Sequence, residues 1–198
     1  MAGPTAAVLT PDPFTAGNLN EFHGWLAESL TPDTAGNSWL LREPRRLGME
    51  SPVQTGPMLI EPIAYEDEDA EEAACMERAL GFPPGSEVVL AAAVNGKDDH
   101  RFLAHLAVAI ARRYGGLIDL GGRLPVPPPR GVPALAALES GVGLQEWQDL
   151  SRATIATLAG RRHEIPYRTA GGEVAMFHVV DADLLTSWLR HPLFRMVK

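Results

Sequence analysis

The spacing of apolar residues along the chain predicts a protein in which helices and strands are interspersed. The clearest helical pattern spans residues 98–114, where Phe102, Leu106 and other apolar residues recur three or four positions apart. Asp98 or Asp99 can cap this helix at its start. Similar patterns predict four further helices, over residues 15–30, 69–80, 144–158 and 181–190.

Shorter apolar segments bounded by glycine, proline or asparagine predict strands. The uninterrupted apolar run at residues 88–94 is typical of a central strand. Together with the helix that follows it and a short strand at residues 117–120, this run predicts a βαβ unit with parallel strands. Residues 163–169 and 174–180 flank an Ala-Gly-Gly turn and predict a C-terminal hairpin. Further strands are predicted over residues 37–41 and 58–65.

Proline-rich segments mark the connections between these elements. Residues 1–13 are predicted to be a loosely ordered lead-in, and residues 123–133 an extended connector. A chain of 198 residues is long enough for one core, and only about 65 residues follow the connector, so we expect the connector to cross within one domain. The predicted fold is a single α+β domain over residues 1–198, with a mixed sheet, one βαβ unit, a C-terminal hairpin and helices packed on the sheet.

Negative charge is concentrated in one segment. Residues 61–80 hold eight acids and one base, whereas the rest of the chain holds 17 acids and 16 bases. Such a patch repels nucleic acid and accelerates encounter with a basic protein. Tyr65 directly precedes the densest run of acids, residues 66–72, and tyrosine is enriched among binding hot spots. The residues predicted to contact a partner are Tyr65, Glu66, Asp67, Glu68, Asp69, Glu71 and Glu72, with Asp98, Asp99 and Arg101 as a second group.

The sequence carries no recognisable catalytic, cofactor or metal motif, and none is predicted. His100 and His105 are five residues apart on a predicted helix, so they point about 140° apart, unlike metal-binding pairs three or four residues apart. Asp119 lies in an apolar strand between two glycine pairs, where it either serves a function or bonds the glycine turns. The single cysteine, Cys75, and the absence of a leader-like or membrane-spanning segment favour a cytosolic protein without a membrane partner.

Three segments resemble a family of small bacterial proteins found among predicted immunity proteins of polymorphic toxin systems. They are Asp-Asp-His-Arg-Phe-Leu-Ala-His-Leu-Ala at 98–107, Tyr-Gly-Gly-Leu-Ile-Asp-Leu-Gly-Gly at 114–122, and Trp-Leu-Arg-His-Pro-Leu-Phe-Arg-Met-Val-Lys at 188–198. The resemblance covers residues 87–122 and 174–198, with Leu120 where the family has an aromatic residue. It implies a cytosolic antidote that binds and blocks a cognate toxin, and it implies no catalytic residues.

Three hypotheses follow. The first is an immunity protein that occludes a basic toxin acting on nucleic acid or nucleotides. The second is a small cytosolic hydrolase that uses Asp119 with His100, His105 or His178, which requires those side chains to lie within hydrogen-bond reach of one another. The third is a scaffold or small-molecule sensor whose proline-rich segment, residues 125–133, is the ligand of a partner.

Overall fold

The computed structural model describes residues 3–33, 37–50, 52–66, 70–128, 144–169 and 171–197, leaving out the side chains of residues 70–72 and 144. The strands are β1 (Thr5–Thr10), β2 (Leu30–Pro32), β3 (Ser38–Leu41), β4 (Met58–Ala64), β5 (Ser86–Ala92), β6 (Leu117–Asp119), β7 (Arg162–Arg168) and β8 (Val174–Val180). The helices are α1 (Ala16–Ser29), α2 (Ala70–Leu80), α3 (Lys97–Tyr114), α4 (Leu144–Ala156) and α5 (Ala182–Leu189), with a 3₁₀ helix at Pro44–Leu47. The predicted α+β class and the C-terminal hairpin, β7–β8, are confirmed.

All eight strands form one open sheet in the order β2-β3-β4-β5-β1-β6-β8-β7, and each neighbouring pair is antiparallel. β5 and β6 run in the same direction, as the predicted βαβ unit requires, but β1 lies between them and pairs with both. The sheet is therefore antiparallel. The prediction of a mixed sheet is wrong, because it assumed that β5 and β6 pair directly as parallel neighbours. α3 still connects β5 to β6 as predicted, but the connection passes over one strand position, which β1 occupies.

The N-terminal segment is the largest correction to the sequence analysis, because residues 5–10 form the central strand and not a loosely ordered lead-in. β1 pairs with β5 over six residues and with β6 over three. Its sequence, Thr-Ala-Ala-Val-Leu-Thr, has two alanines and prolines on either side, so its local preference for a strand is weak. Hydrogen bonds to strands far along the chain decide its conformation.

The main core lies between one face of the sheet, here called the helix face, and helices α1, α3 and α5. Val8 of β1 and Leu90 of β5 point to this face, where they meet Phe102 of α3 and Trp188 of α5, and all four side chains are fully buried. α3 supplies most of the helical contacts with β1 and β5. The helix predicted over residues 98–114 is therefore the central helix of the core.

A smaller core lies on the opposite face, at the β6-β8-β7 end of the sheet. Leu9 of β1, Leu117 of β6 and Phe177 of β8 pack there against Met76 of α2. α2 contacts mainly β7. Since side chains alternate along a strand, Val8 and Leu9 belong to different cores although they are adjacent.

Local signals for helix ends and connections agree with the structure. Thr15 precedes α1 and its backbone N–H donates to the Asn18 carboxamide, while Asp181 accepts a hydrogen bond from the Leu184 N–H at the start of α5. The described part of the connector, residues 123–128, packs inside the domain, because Leu124 and Val126 are buried. Its remainder, residues 129–133, lies outside the described residues.

Candidate functional site

The acidic segment, residues 61–80, comprises the end of β4, the connection to α2, and α2 itself. Glu66 and Glu77 are exposed, and Glu61 is partly exposed on β4. Glu71 and Glu72 lie in the first turn of α2, where acids favour a helix, but their side chains lie outside the description. Asp67, Glu68 and Asp69 lie wholly outside the described residues.

Tyr65 is a half-buried residue of this segment, next to Glu66. Its ring packs against the smaller core, together with Leu80 and Phe82. Part of the aromatic surface predicted to anchor a partner is thus already used in folding.

The second predicted group, Asp98, Asp99 and Arg101, lies at the start of α3. Asp99 is 2% exposed, and its carboxylate accepts hydrogen bonds from the backbone N–H groups of Gly56 and Gly96, both at 2.8 Å. Asp98 accepts the Gln54 N–H at 3.0 Å. These acids join the loop before β4 to α3, and Asp99 has no surface to offer a partner, so its prediction as a contact residue is wrong.

The helix boundary explains that correction. α3 begins at Lys97 with Gly96 as its N-cap, so Asp99 occupies the third helical position and bonds back to the N–H of the cap. A carboxylate at that position turns towards the backbone and away from solvent. Arg101, one turn along the helix, is partly exposed.

Asp119 and His178, the pair required by one version of the hydrolase hypothesis, point to opposite faces of the sheet. Asp119 lies opposite Val179 on β8, and Val179 belongs to the smaller core, whereas the next residue, Val180, belongs to the main core. His178 therefore points to the helix face, because side chains alternate along β8. Asp119 instead accepts the Gly121 N–H at 2.7 Å, which holds the glycine turn after β6.

His178 is a structural histidine. It is 3% exposed, its Nδ1 accepts the Leu124 N–H at 2.9 Å, and its Nε2 lies 3.7 Å from the Glu164 carboxylate. Burial lowers the pKa of His178 to about 4, with Arg162 adding to the effect. The neutral ring with its proton on Nε2 therefore links β8 to the connector.

The two histidines of α3 have different surroundings. His100 contacts the Asn95 side chain through Nε2, and its Nδ1 accepts the Met196 N–H at 2.9 Å. His105 packs near Gly48, and its buried Nε2 has no hydrogen-bond partner among the described residues. Burial, with the nearby charge of Arg101, lowers the pKa of His105.

Several arginines line an open groove of about 670 Å³ between α1 and α3, beside Trp25. Arg46 pairs with Glu28 at 2.9 Å, Arg113 with Glu21 at 2.7 Å and Arg112 with Asp183 at 3.1 Å. Arg113 also stacks over the Trp25 ring, 5.4 Å from its centre. These positive charges are therefore balanced locally by exposed acids, on the side of the molecule where the helices lie.

The opposite side of the sheet presents a different surface, which we call the open face. It consists of the outward side chains of β4, β5, β1 and β6 that α2 does not cover, in rows set by the strand register. Ile63 lies beside Glu87, and Glu61 lies beside Val89, Ala7 and then Asp119 of β6. Ile63 is 40% exposed, and Leu59, Glu61, Glu87, Val89, Ala91, Ala7 and Asp119 are half-buried.

Glu87 is the residue that sequence reasoning missed. It is half-buried between Ile63 and Leu9, and it makes no hydrogen bond or ion pair with the described residues. Burial raises the pKa of its carboxyl above the ordinary value. The sequence signal was a single acid directly before the apolar run, but the predicted strand began one residue after Glu87.

Among the described residues, no three His, Cys, Asp or Glu side chains are grouped as a metal would require. Within the same residues, no helix is both long and apolar enough to cross a bilayer.

Comparison with known proteins gives one match. No curated protein and no solved structure shows significant similarity to the chain. A family model described as a family of unknown function, DUF6368, matches residues 2–198. Since that match spans nearly the whole chain, the protein belongs to the DUF6368 family of unknown function.

Proposed function

We propose that this protein is a cytosolic immunity protein that binds a basic toxin domain and occludes it. The observation that carries the proposal is the concentration of negative charge in and around β4, α2 and β5. The resemblance of residues 87–122 and 174–198 to predicted immunity proteins supports the same function. Toxins that act on nucleic acid or nucleotides commonly have a basic surface, which is the complement of this charge.

The strand register supports the idea that these acids act together. β4 ends where β5 begins, with Ala64 opposite Ser86, so Glu66 and Glu87 lie at the same end of the sheet. Glu61 lies further along β4 on the open face. Acids from distant parts of the sequence thus reinforce the field of the acidic segment.

The geometry of the ionisable groups favours binding over the hydrolase hypothesis. Asp119 bonds a glycine turn on one face, while His178 is neutral and buried on the other. His100 and His105 each have a separate structural setting on α3. His178 cannot reach Asp119 without leaving the core, because the sheet lies between them.

In the proposed complex, charge and apolar contacts contribute different properties. The acids accelerate encounter and select a basic partner, and this effect weakens as salt screens it. Affinity comes mainly from a few well-packed side chains near the centre of the interface. The exposed Ile63 and the half-buried Leu59 of β4 offer apolar contacts for that role.

The test is rescue of poisoned cells. The C-terminal domain of the protein encoded beside this gene, as the candidate toxin domain, is expressed in a susceptible host, with and without this protein. We expect co-expression to restore growth and the purified proteins to form a stoichiometric complex in size-exclusion chromatography. Continued poisoning together with separate elution of the two proteins would show that the proposed function is wrong.

A further inference from the structure

We propose that the open face of the sheet is the surface on which the toxin docks, with Glu87 and Glu61 receiving arginine or lysine side chains. This inference rests on the proposed function and specifies its interface. It places the centre of the contact on this face of the sheet and not on residues 65–72.

The first argument is the chemistry of the open face. Its outward positions on β4, β5, β1 and β6 carry three carboxylates and no lysine or arginine; they are Glu61, Glu87 and Asp119 among Leu59, Ile63 and Val89. A surface of this kind, apolar with embedded acids, fits a partner that offers aliphatic stems ending in positive charge. Lysine and arginine side chains have that form.

The second argument is the state of Glu87. Glu87 is half-buried and has no cation partner among the described residues, so no contact in that part of the chain offsets the desolvation cost of its carboxylate. A guanidinium or ammonium group placed over Glu87 would compensate that cost and complete its hydrogen bonds. Glu61, diagonally adjacent across the β4–β5 pair, makes one neutral contact, to the Asn37 amide at 3.2 Å, so it retains its charge for a second cation.

The third argument concerns the occupant. A second copy of this chain docked on the same face would bring carboxylates against carboxylates, and the protein carries a net charge of −8. Like charges facing each other across an interface oppose association. A basic toxin surface meets the same face with complementary charge.

The experiment measures binding of the purified toxin domain by biolayer interferometry, at about 50 mM and about 500 mM salt. The first variant is Glu87→Gln, which keeps the shape and removes the charge. We expect it to weaken binding at least about tenfold, equivalent to about 1.4 kcal/mol. The matched control, Glu173→Gln, changes an exposed acid in the β7–β8 turn and should bind within about twofold of the wild type.

A second pair of variants tests the apolar part of the face. Val89→Lys places a positive charge at its centre and should weaken binding at least about 100-fold, because it repels the incoming cations and blocks close packing. Val174→Lys makes the same change at a valine that is 64% exposed at the start of β8, and should leave binding unchanged.

Two readouts separate docking from a structural role. Thermal melting should show Glu87→Gln to be at least as stable as the wild type, since the substitution removes a desolvated charge. Carbon-13 NMR of the Glu87 carboxyl should show its pKa falling when the toxin domain binds, because a nearby cation favours the charged form.

The outcomes are distinguishable. If the toxin domain binds the wild type but binds Glu87→Gln and Val89→Lys equally well, the docking surface lies elsewhere, and the proposed function stands without this inference. If the wild type does not bind the toxin domain, both proposals are wrong. If light scattering shows the wild type to be a dimer that Val89→Lys dissociates, the open face joins two copies of this chain and the inference is overturned.

Discussion

Single residues in this protein show how the surroundings of a polar group decide its role. Asp99 and Glu87 are both acids in apolar surroundings, but Asp99 accepts two backbone hydrogen bonds whereas Glu87 accepts none from the described residues. His178 is buried at low cost because its Nδ1 has a donor and its ring is neutral. Asp99 and His178 are therefore structural, and Glu87 is the acid that we propose a partner contacts.

The lowered pKa of His178 makes a prediction about pH dependence. Its pKa is about 4 in the folded protein and about 6.5 when unfolded, so the unfolded chain takes up a proton first as pH falls. The stability associated with His178 is complete above about pH 6.5 and is lost progressively down to about pH 4. Between about pH 7 and about pH 5, this loss amounts to about 2 kcal/mol.

Urea unfolding followed by circular dichroism measures that loss. The variant His178→Asn, whose amide oxygen can accept the Leu124 N–H, should lose about 2 kcal/mol less than the wild type over the same pH interval. His23→Asn, at an exposed histidine, should retain the wild-type pH dependence. Equal pH dependence in His178→Asn and the wild type would show that His178 does not resist protonation.

At the scale of elements, β1 joins the two halves of the sheet. It pairs with β5 on one side and β6 on the other, and it contributes Val8 to the main core and Leu9 to the smaller core. The outer strands have fewer partners. We therefore expect β1 to belong to the most stable part of the fold.

Substitution and hydrogen exchange test that expectation. Val8→Ala should lower the free energy of unfolding by about 2 kcal/mol, because it removes two buried methyl groups and leaves a cavity. Val174→Ala, at an exposed strand position, should cost less than about 0.5 kcal/mol. The backbone amides of β1 should be among the slowest to exchange in the native protein, and rapid exchange there would contradict its central position.

The whole molecule has an asymmetric charge distribution. On the helix side, the arginines of the groove between α1 and α3 are balanced by acids at exposed ion pairs. On the opposite side, Glu61 bonds the neutral Asn37 amide and Glu87 makes no ion pair with the described residues. If a basic protein docks on the open face as we propose, this difference in charge steers its approach.

The acidic segment should therefore govern the rate of association. The triple variant Glu66→Lys, Asp67→Lys, Glu68→Lys should bind the toxin domain at least about tenfold more slowly at low salt, with a smaller change in its dissociation rate. The control triple Glu43→Lys, Glu50→Lys, Glu173→Lys produces the same net charge at exposed acids elsewhere. Stopped-flow kinetics showing equal association rates for both triples would mean that net charge alone, and not the segment, accelerates binding.

Much of the fold could be predicted because its signals are local. The apolar stripe of α3, the Asp181 cap of α5 and the glycine turn of the β7–β8 hairpin each depend on residues close together in sequence. The candidate site could be predicted only in part. The charge of the acidic segment is visible in the sequence, whereas the isolation of Glu87 depends on which strands and helices surround it.

The sequence by itself determined the helices, the hairpin, the α+β class and the position of the excess negative charge, since capping, periodicity and composition act over short distances along the chain. Only the tertiary structure decided that Thr5–Thr10 lies in the middle of the sheet, that Asp119 and His178 are separated by it, and that Asp99 is buried. Strand order and the covering of a sheet face depend on contacts between residues far apart in sequence. A strand of weak local preference such as β1 is stable because it pairs with a strand on each side.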